Sequence, residues 1–156
     1  MEFTKKVGYE IKTLDHMISR RIMNISIKNG MDSVTVMHGW IIGYLYDHSD
    51  SDVYQKDLES KFYISRSTAT NILKLMEEKG YIERVPVEHD ARLKKIILTE
   101  KARKIQRQNY IDMHNTVEKQ LRKDISDEDM ENFIQVIWKM KENLMKQETG
   151  KEQEHD

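Results

Sequence analysis

Residues 55–99, QKDLESKFYISRSTATNILKLMEEKGYIERVPVEHDARLKKIILT, decide how this chain folds. They read as a short amphipathic helix, a tight turn, a second helix with a polar face and a charged β-hairpin. In the second helix Ser65 is placed as the cap, its hydroxyl accepting from a first-turn amide. Ala69, Ile72, Leu73 and Met76 form one inward stripe, and Gly80 ends the helix as a residue able to take positive φ. Arg66, Ser67, Thr70, Asn71 and Lys74 are left facing outward, with Thr68 near the edge. That face carries hydroxyl, amide and guanidinium groups, the types that pair with base edges and phosphates, and no large apolar residue is expected on it. The order of elements describes a winged helix-turn-helix, which places one helix in a DNA major groove and a basic hairpin beside it.

In the hairpin, Tyr81, Ile82, Arg84 and Val85 form one strand and Lys95, Ile96, Ile97 and Leu98 the other. Pro86, Glu88, His89, Asp90, Ala91 and Arg92 are expected in the loop between them. The run Glu77-Glu78-Lys79-Gly80-Tyr81-Ile82-Glu83-Arg84 into the wing, and Asp90-Ala91-Arg92 followed by Ile97-Leu98-Thr99 out of it, closely resembles the MarR family of transcription regulators. The resemblance implies that Arg92 is the wing-tip arginine entering the minor groove, where a narrow groove's negative potential suits a guanidinium. Asp90 is then expected to orient the wing through an ion pair. Lys94 and Lys95 become phosphate contacts, or solvent lysines that protect a strand edge. The expected DNA-contact set is Ser65, Arg66, Ser67, Thr68, Thr70, Asn71 and Lys74 on the helix, with Arg84, Arg92, Lys94 and Lys95 on the wing. Three residues depart from the family pattern. Tyr63 stands where the turn often has glycine, Tyr54 where a hydroxyl cap is common, and Ala102 where glycine often follows the Leu-Thr. Because a bulky residue at positive φ is uncommon, a different turn is expected at Tyr63, with its side chain on the surface.

The flanks are helical by period. Val7, Ile11, Leu14, Ile18, Ile22 and Ile25 mark a helix over about 4–28, stopped by Asn29-Gly30. A second helix from Thr35 carries Met37, Trp40, Ile41, Tyr44 and Leu45 and ends near Ser49–Asp52. After Thr99, a plausible cap, one helix is expected to about Lys123, with Ala102, Ile105, Met113, Val117 and Leu121 on one side. Ser126 with Asp129 then opens a last helix striped by Met130, Phe133, Ile134, Ile137, Met140 and Leu144. The helices at the two ends need an apolar partner, and a symmetric homodimer supplies it. The fold expected is mainly α with a small β-hairpin wing: one MarR-like domain over 1–148, its winged part about 33–99 and its dimerisation helices about 4–28 and 100–146. Residues 149–156, with Glu152, Glu154 and Asp156 after Glu148, are expected as an acidic, disordered tail.

The 156-residue chain has a formal net charge of -1, so a DNA-binding surface must be local. It has no cysteine, which excludes disulfides, thiolate metal sites and thiol switching. Neither a signal peptide nor an apolar run long enough for a bilayer is present, so a cytoplasmic protein without membrane contact is expected. His16, His38, His48, His89, His114 and His155 are scattered, and no phosphate-binding glycine loop or elbow-type serine occurs; catalysis is not expected, nor a cofactor. Two alternatives are a metal-responsive regulator, with His38 and His114 joined by Asp112 or Glu118, and a winged domain used for protein contact. The expected function is a homodimeric transcription regulator, a repressor binding double-stranded DNA at a pseudo-palindromic operator. Control by a small ligand is implied by the resemblance. His16, Arg20, Trp40, Tyr44 and Met113 are candidates to line a pocket for a small aromatic anion, or are simply core and surface residues.

Overall fold

The computed structural model describes residues 6–32 and 36–151. The chain divides into two compact units, Met1–Val117 and Glu118–Asp156.

In the first unit, α1 spans Val7–Lys28 and α2 spans Val36–Asp47. The expected starts at Thr4 and Thr35 lie outside the described residues. Asn29 closes α1, and Gly30 follows at φ 94, the left-handed backbone that glycine takes without a Cβ penalty. On α1 only Ile22 and Ser26 are buried, while Val7, Ile11, Leu14 and Met17 are exposed. A polar junction ties the end of α1 to α5 (Glu100–Met113). Asn29 Nδ2 donates to Asn109 Oδ1 at 2.9 Å and to Asp112 Oδ2 at 3.0 Å. Asn109 Nδ2, itself buried, donates to buried Ser26 Oγ at 3.2 Å. Hydrogen bonds from Asn29 and Gln108 hold the Asp112 carboxyl below the usual carboxylate range.

On α2, Ile41, Ile42 and Leu45 are buried, as is Leu58 of α3 (Gln55–Phe62). Trp40, expected in the inward stripe, is instead 47% exposed, and Ile42 takes the inward place. The N–H of Tyr54 is capped by Asp57 Oδ2 at 2.8 Å, so Asp57 supplies what the Tyr54 side chain does not. Tyr63 then adopts φ 52, ψ 43, the left-handed conformation that glycine would take, and is 67% exposed. The expected change of turn does not occur: the turn is kept and Tyr63 bears the strain, which costs roughly 1–2 kcal/mol for a residue with a Cβ. Ile64 N–H still reaches the Glu59 carbonyl at 3.2 Å, closing the end of α3.

Helix α4, Arg66–Glu78, buries Ala69, Leu73 and Met76 and ends before Gly80 at φ 71. The wing is longer than the sequence suggests. Strands β1 (Ile82–Val87) and β2 (Asp90–Leu98) pair antiparallel, leaving only Glu88 and His89 in the turn. Pro86 and Asp90–Arg92, expected in the loop, belong to strands. Pro86 pairs with Lys94 but Val87 pairs with Asp90, so Ala91, Arg92 and Leu93 form a bulge. The base of β2 is also paired on its other side, where Ile96 N–H donates to the Val53 carbonyl at 2.8 Å and Tyr54 bridges to Lys95.

These elements share a core of Ile41, Ile42, Leu58, Leu73, Met76, Tyr81, Ile82, Ile96 and Ala102. Each large apolar side chain removed from water contributes roughly 1.5–3 kcal/mol. Tyr81 is fully buried, its hydroxyl accepting the Asp32 N–H at 2.8 Å, and burial pushes its phenol pKa up. Thr99 locks the wing to α5: its Oγ1 accepts the Ala102 N–H at 3.3 Å and donates to the Gly80 carbonyl at 2.7 Å. The single long helix expected after Thr99 changes hydrogen-bond register at the π-type turn His114–Glu118. There Thr116 Oγ1 donates back to the Asp112 carbonyl at 2.6 Å, competing with the backbone ladder.

The second unit holds α6 (Lys119–Arg122) and α7 (Asp127–Lys151). Ser126 caps α7 with Asp129, whose N–H lies 3.1 Å from Ser126 Oγ. Phe133, Val136, Trp138 and Leu144 are exposed along α7; Val136 and Trp138 lie outside the expected stripe. The helix continues through Gly150 to Lys151, where a disordered tail is expected to have begun. Glu152, Glu154, His155 and Asp156 lie outside the described residues.

Candidate nucleic-acid interface

The amino end of α4 is built by its cap. Ser65 Oγ accepts the Thr68 N–H at 3.2 Å and lies 3.0 Å from Ser67 Oγ and 2.9 Å from Thr68 Oγ1, so three hydroxyls cluster over the helix start. Arg66, Ser67, Thr68, Thr70, Asn71 and Lys74 are all exposed. Five residues, Ser65, Arg66, Ser67, Thr70 and Asn71, line a shallow open concavity. Leu75 corrects one expectation: it is 39% exposed, one turn beyond Asn71, so this side of the helix does carry a large apolar group.

A second concavity runs between α3, the start of α4 and the wing. Its cations are Lys56, Arg66, Arg84, Arg92 and Lys94, with Gln55 and Glu59 among its walls. Lys56 and Gln55 are additional to the residues expected from the sequence, because polar residues at the start of a short helix carry no distinctive signal on their own. Their place in the first turn of α3, with Lys56 exposed and Gln55 half-buried, follows from the helix start at Gln55.

Wing residues divide by what they hold. Arg84 is turned onto α4, with Nε 3.0 Å and Nη2 2.6 Å from Glu77 Oε2. That hydrogen bond draws the Glu77 carboxyl pKa down against the opposing effect of desolvation. Lys95 Nζ pairs with Asp52 Oδ1 at 3.1 Å. Arg84 and Lys95 therefore brace the wing. Arg92 and Lys94 are exposed, and among the described residues neither forms an ion pair. The ion pair expected of Asp90 is not formed among the described residues; instead Asp90 Oδ1 accepts the backbone N–H of Arg92 at 2.9 Å. A short side chain two residues upstream reaches that amide directly, and this bond shapes the bulge carrying Arg92.

None of His16, Arg20, Trp40, Tyr44 and Met113 lines either concavity. His16 and Arg20 are exposed on α1, and Met113 is half-buried on α5. The Tyr44 ring stacks on His48 at 4.0 Å between centroids and meets Phe62 edge-on at 5.9 Å, so it is committed to packing. His38 is buried and His114 exposed; among the described residues no group of three or more His, Asp or Glu is placed to hold a metal ion. No described helix is long and apolar enough to cross a membrane.

Residues 32–93, from the loop before α2 to the wing bulge, match the model of the MarR family. Over that stretch this chain is similar to the MarR family. Family members are transcription regulators, not enzymes. The MarR-family transcription regulator of Oenococcus oeni PSU-1 superposes with a TM-score of 0.72 at 28% identity, covering 88% of this chain and 99% of that one. The S. aureus MepR–DNA complex superposes at 0.78 with 22% identity, covering 92% of this chain and 99% of that one, and shows the shared fold. An uncharacterised HTH-type transcriptional regulator of Bacillus subtilis, YybA, is 24% identical over 67% of this chain. The match spans 63% of that relative's length. Mainly helical architecture with a two-stranded wing is therefore common to the MarR-family structures and this chain.

Proposed function

We propose that this chain is a regulator of the MarR type: a homodimeric, sequence-specific DNA-binding repressor that acts in the cytoplasm on a pseudo-palindromic operator and is released by a small ligand. The observation that carries the DNA reading is the exposed hydroxyl, amide and guanidinium face of α4 beside Arg92 and Lys94 on the wing. Hydroxyl and amide side chains read base edges, and the cations of the second concavity suit a phosphate run. The structural relative MepR was determined bound to DNA, which supports the same use of this fold. Exposed Leu75 alone does not make an apolar docking face, so the protein-contact alternative gains little from it.

The dimer rests on the apolar residues that α1 leaves exposed. Two copies set one helical turn of DNA apart explain why a palindrome is the expected target. Arg92→Ala should weaken operator binding by about 1–3 kcal/mol per half-site without changing the melting temperature. Undiminished affinity, measured by electrophoretic retardation on DNA upstream of the coding region, removes Arg92 from the contact set. For the ligand arm, titrating the operator complex with aromatic carboxylates is expected to release DNA; no release by any of them removes that chemical class.

A further inference from the structure

We propose that Gln55 on α3, held by Glu59, sets the base preference of Thr70 on α4. This positioning role rests on the DNA-binding reading above. Gln55 Nε2 lies 2.9 Å from Glu59 Oε1, 2.9 Å from Thr70 Oγ1 and 3.3 Å from the Arg66 carbonyl oxygen. A carboxylate only accepts, so Glu59 fixes which end of the Gln55 amide turns inward, and the same NH2 group must then face Thr70. Glu59 stands one turn beyond Gln55 on α3, and Thr70 one turn beyond Arg66 on α4. The row on one helix therefore addresses the row on the other.

The consequence lies in the Thr70 hydroxyl. Its single hydrogen goes to the Arg66 carbonyl at 2.8 Å, and one lone pair receives the Gln55 N–H. One acceptor site is left and no donor. Thr70 lines both concavities of the interface, so this remaining site belongs to the surface offered to DNA. In the major groove the base donors are the exocyclic amines of adenine and cytosine, whereas the keto oxygens of guanine and thymine only accept. With Gln55 in place, Thr70 favours an amine base and leaves a keto base unsatisfied. Once Gln55 is removed, the hydroxyl can leave the Arg66 carbonyl and donate outward, and the distinction fades.

Selection from a randomised double-stranded DNA library, using the full chain, reads this directly. The unmodified protein should enrich adenine or cytosine over guanine or thymine at one position per half-site, and Thr70→Val should identify that position by abolishing the preference. Gln55→Ala should lower the same ratio about fivefold, the worth of one hydrogen bond, with other positions and the thermal melt unchanged. Glu59→Gln, which accommodates either end of the Gln55 amide, should lower it less. In the Thr70→Val background, Gln55→Ala should have no further effect on the ratio. An unchanged ratio in Gln55→Ala, or a loss spread evenly over all positions, overturns the proposal while leaving DNA binding in place. If the unmodified protein enriches no sequence, the DNA-binding reading itself fails.

Discussion

The winged region and α1 solve opposite problems with similar sequence patterns. Both carry apolar residues at helical spacing, yet Leu58, Leu73, Met76, Tyr81 and Ile82 are at 0–1% exposure while Val7, Ile11, Leu14 and Met17 range from 39 to 63%. The first set closes a core inside one chain. The second set leaves a face uncovered, and the only side chains α1 buries are Ile22 and Ser26 near its end, beside the junction with Asn109. An amphipathic stripe thus reports that a helix needs a partner, and burial reports whether the same chain provides it.

The comparison breaks most sharply at Leu73. Leu73→Ala should cost about 2–5 kcal/mol of stability, since a fully buried leucine leaves a cavity that packing fills only in part. Urea denaturation should give this loss at any protein concentration. Leu14→Glu on α1 should instead act on the proposed assembly: a leucine that a second copy would cover contributes about 1.5–3 kcal/mol per copy to association. Sedimentation should show dissociation while the winged core still melts cooperatively. A concentration-independent unfolding defect would place Leu14 in a core, not an interface.

Smaller effects test how the interface is held. Tyr63→Gly should stabilise the protein by ~0.5–1 kcal/mol, because relief of the left-handed strain exceeds the extra chain entropy of glycine. A lowered melting temperature would mean that contacts of the tyrosine ring outweigh its backbone cost. The smallest effect concerns Glu77 and Arg84. Glu77 has a lowered pKa in the folded protein, so its contribution is present above the unfolded carboxylate value and is lost as pH falls through the lowered one. The side chains are 40% and 27% exposed, which limits the pair to roughly 0.2–1 kcal/mol. The stability gap between the unmodified protein and Glu77→Gln should be constant near neutral pH and close below about pH 4. A gap that persists in acid would assign the effect to packing.

What the sequence discloses follows the range over which each feature is determined. Helix α4 was legible because its cap Ser65, its stripe and its stop Gly80 are all local. The wing is longer than its sequence suggests because Pro86 and Asp90 are turn formers by composition. A two-stranded ribbon tolerates a proline that donates no ladder bond, and Asp90 serves the bulge instead of the turn. Arg84 illustrates the limit for the candidate site. Its charge was visible, but its engagement with Glu77, seven residues earlier on another element, depends on how β1 leaves α4. The same holds for Lys95, whose partner Asp52 lies 43 residues away in sequence. Tyr63 defeated a backbone propensity, since the turn between α3 and α4 is imposed by the packing of both helices and not by the residue within it. In α5 the apolar period gives no hint of the register change at His114, where the Thr116 hydroxyl donates to a carbonyl one turn back.

The bond from Ile96 to Val53, with the bridge from Lys95 to Tyr54, gives the wing a footing outside the hairpin. The hairpin is thereby tied through the backbone to the residues that lead into α3. For anyone exchanging wings among such proteins, the transferable cassette is not the hairpin alone. A graft spanning only residues 82–98 arrives without its footing, whereas one that also carries residues 52–54 brings its anchorage with it.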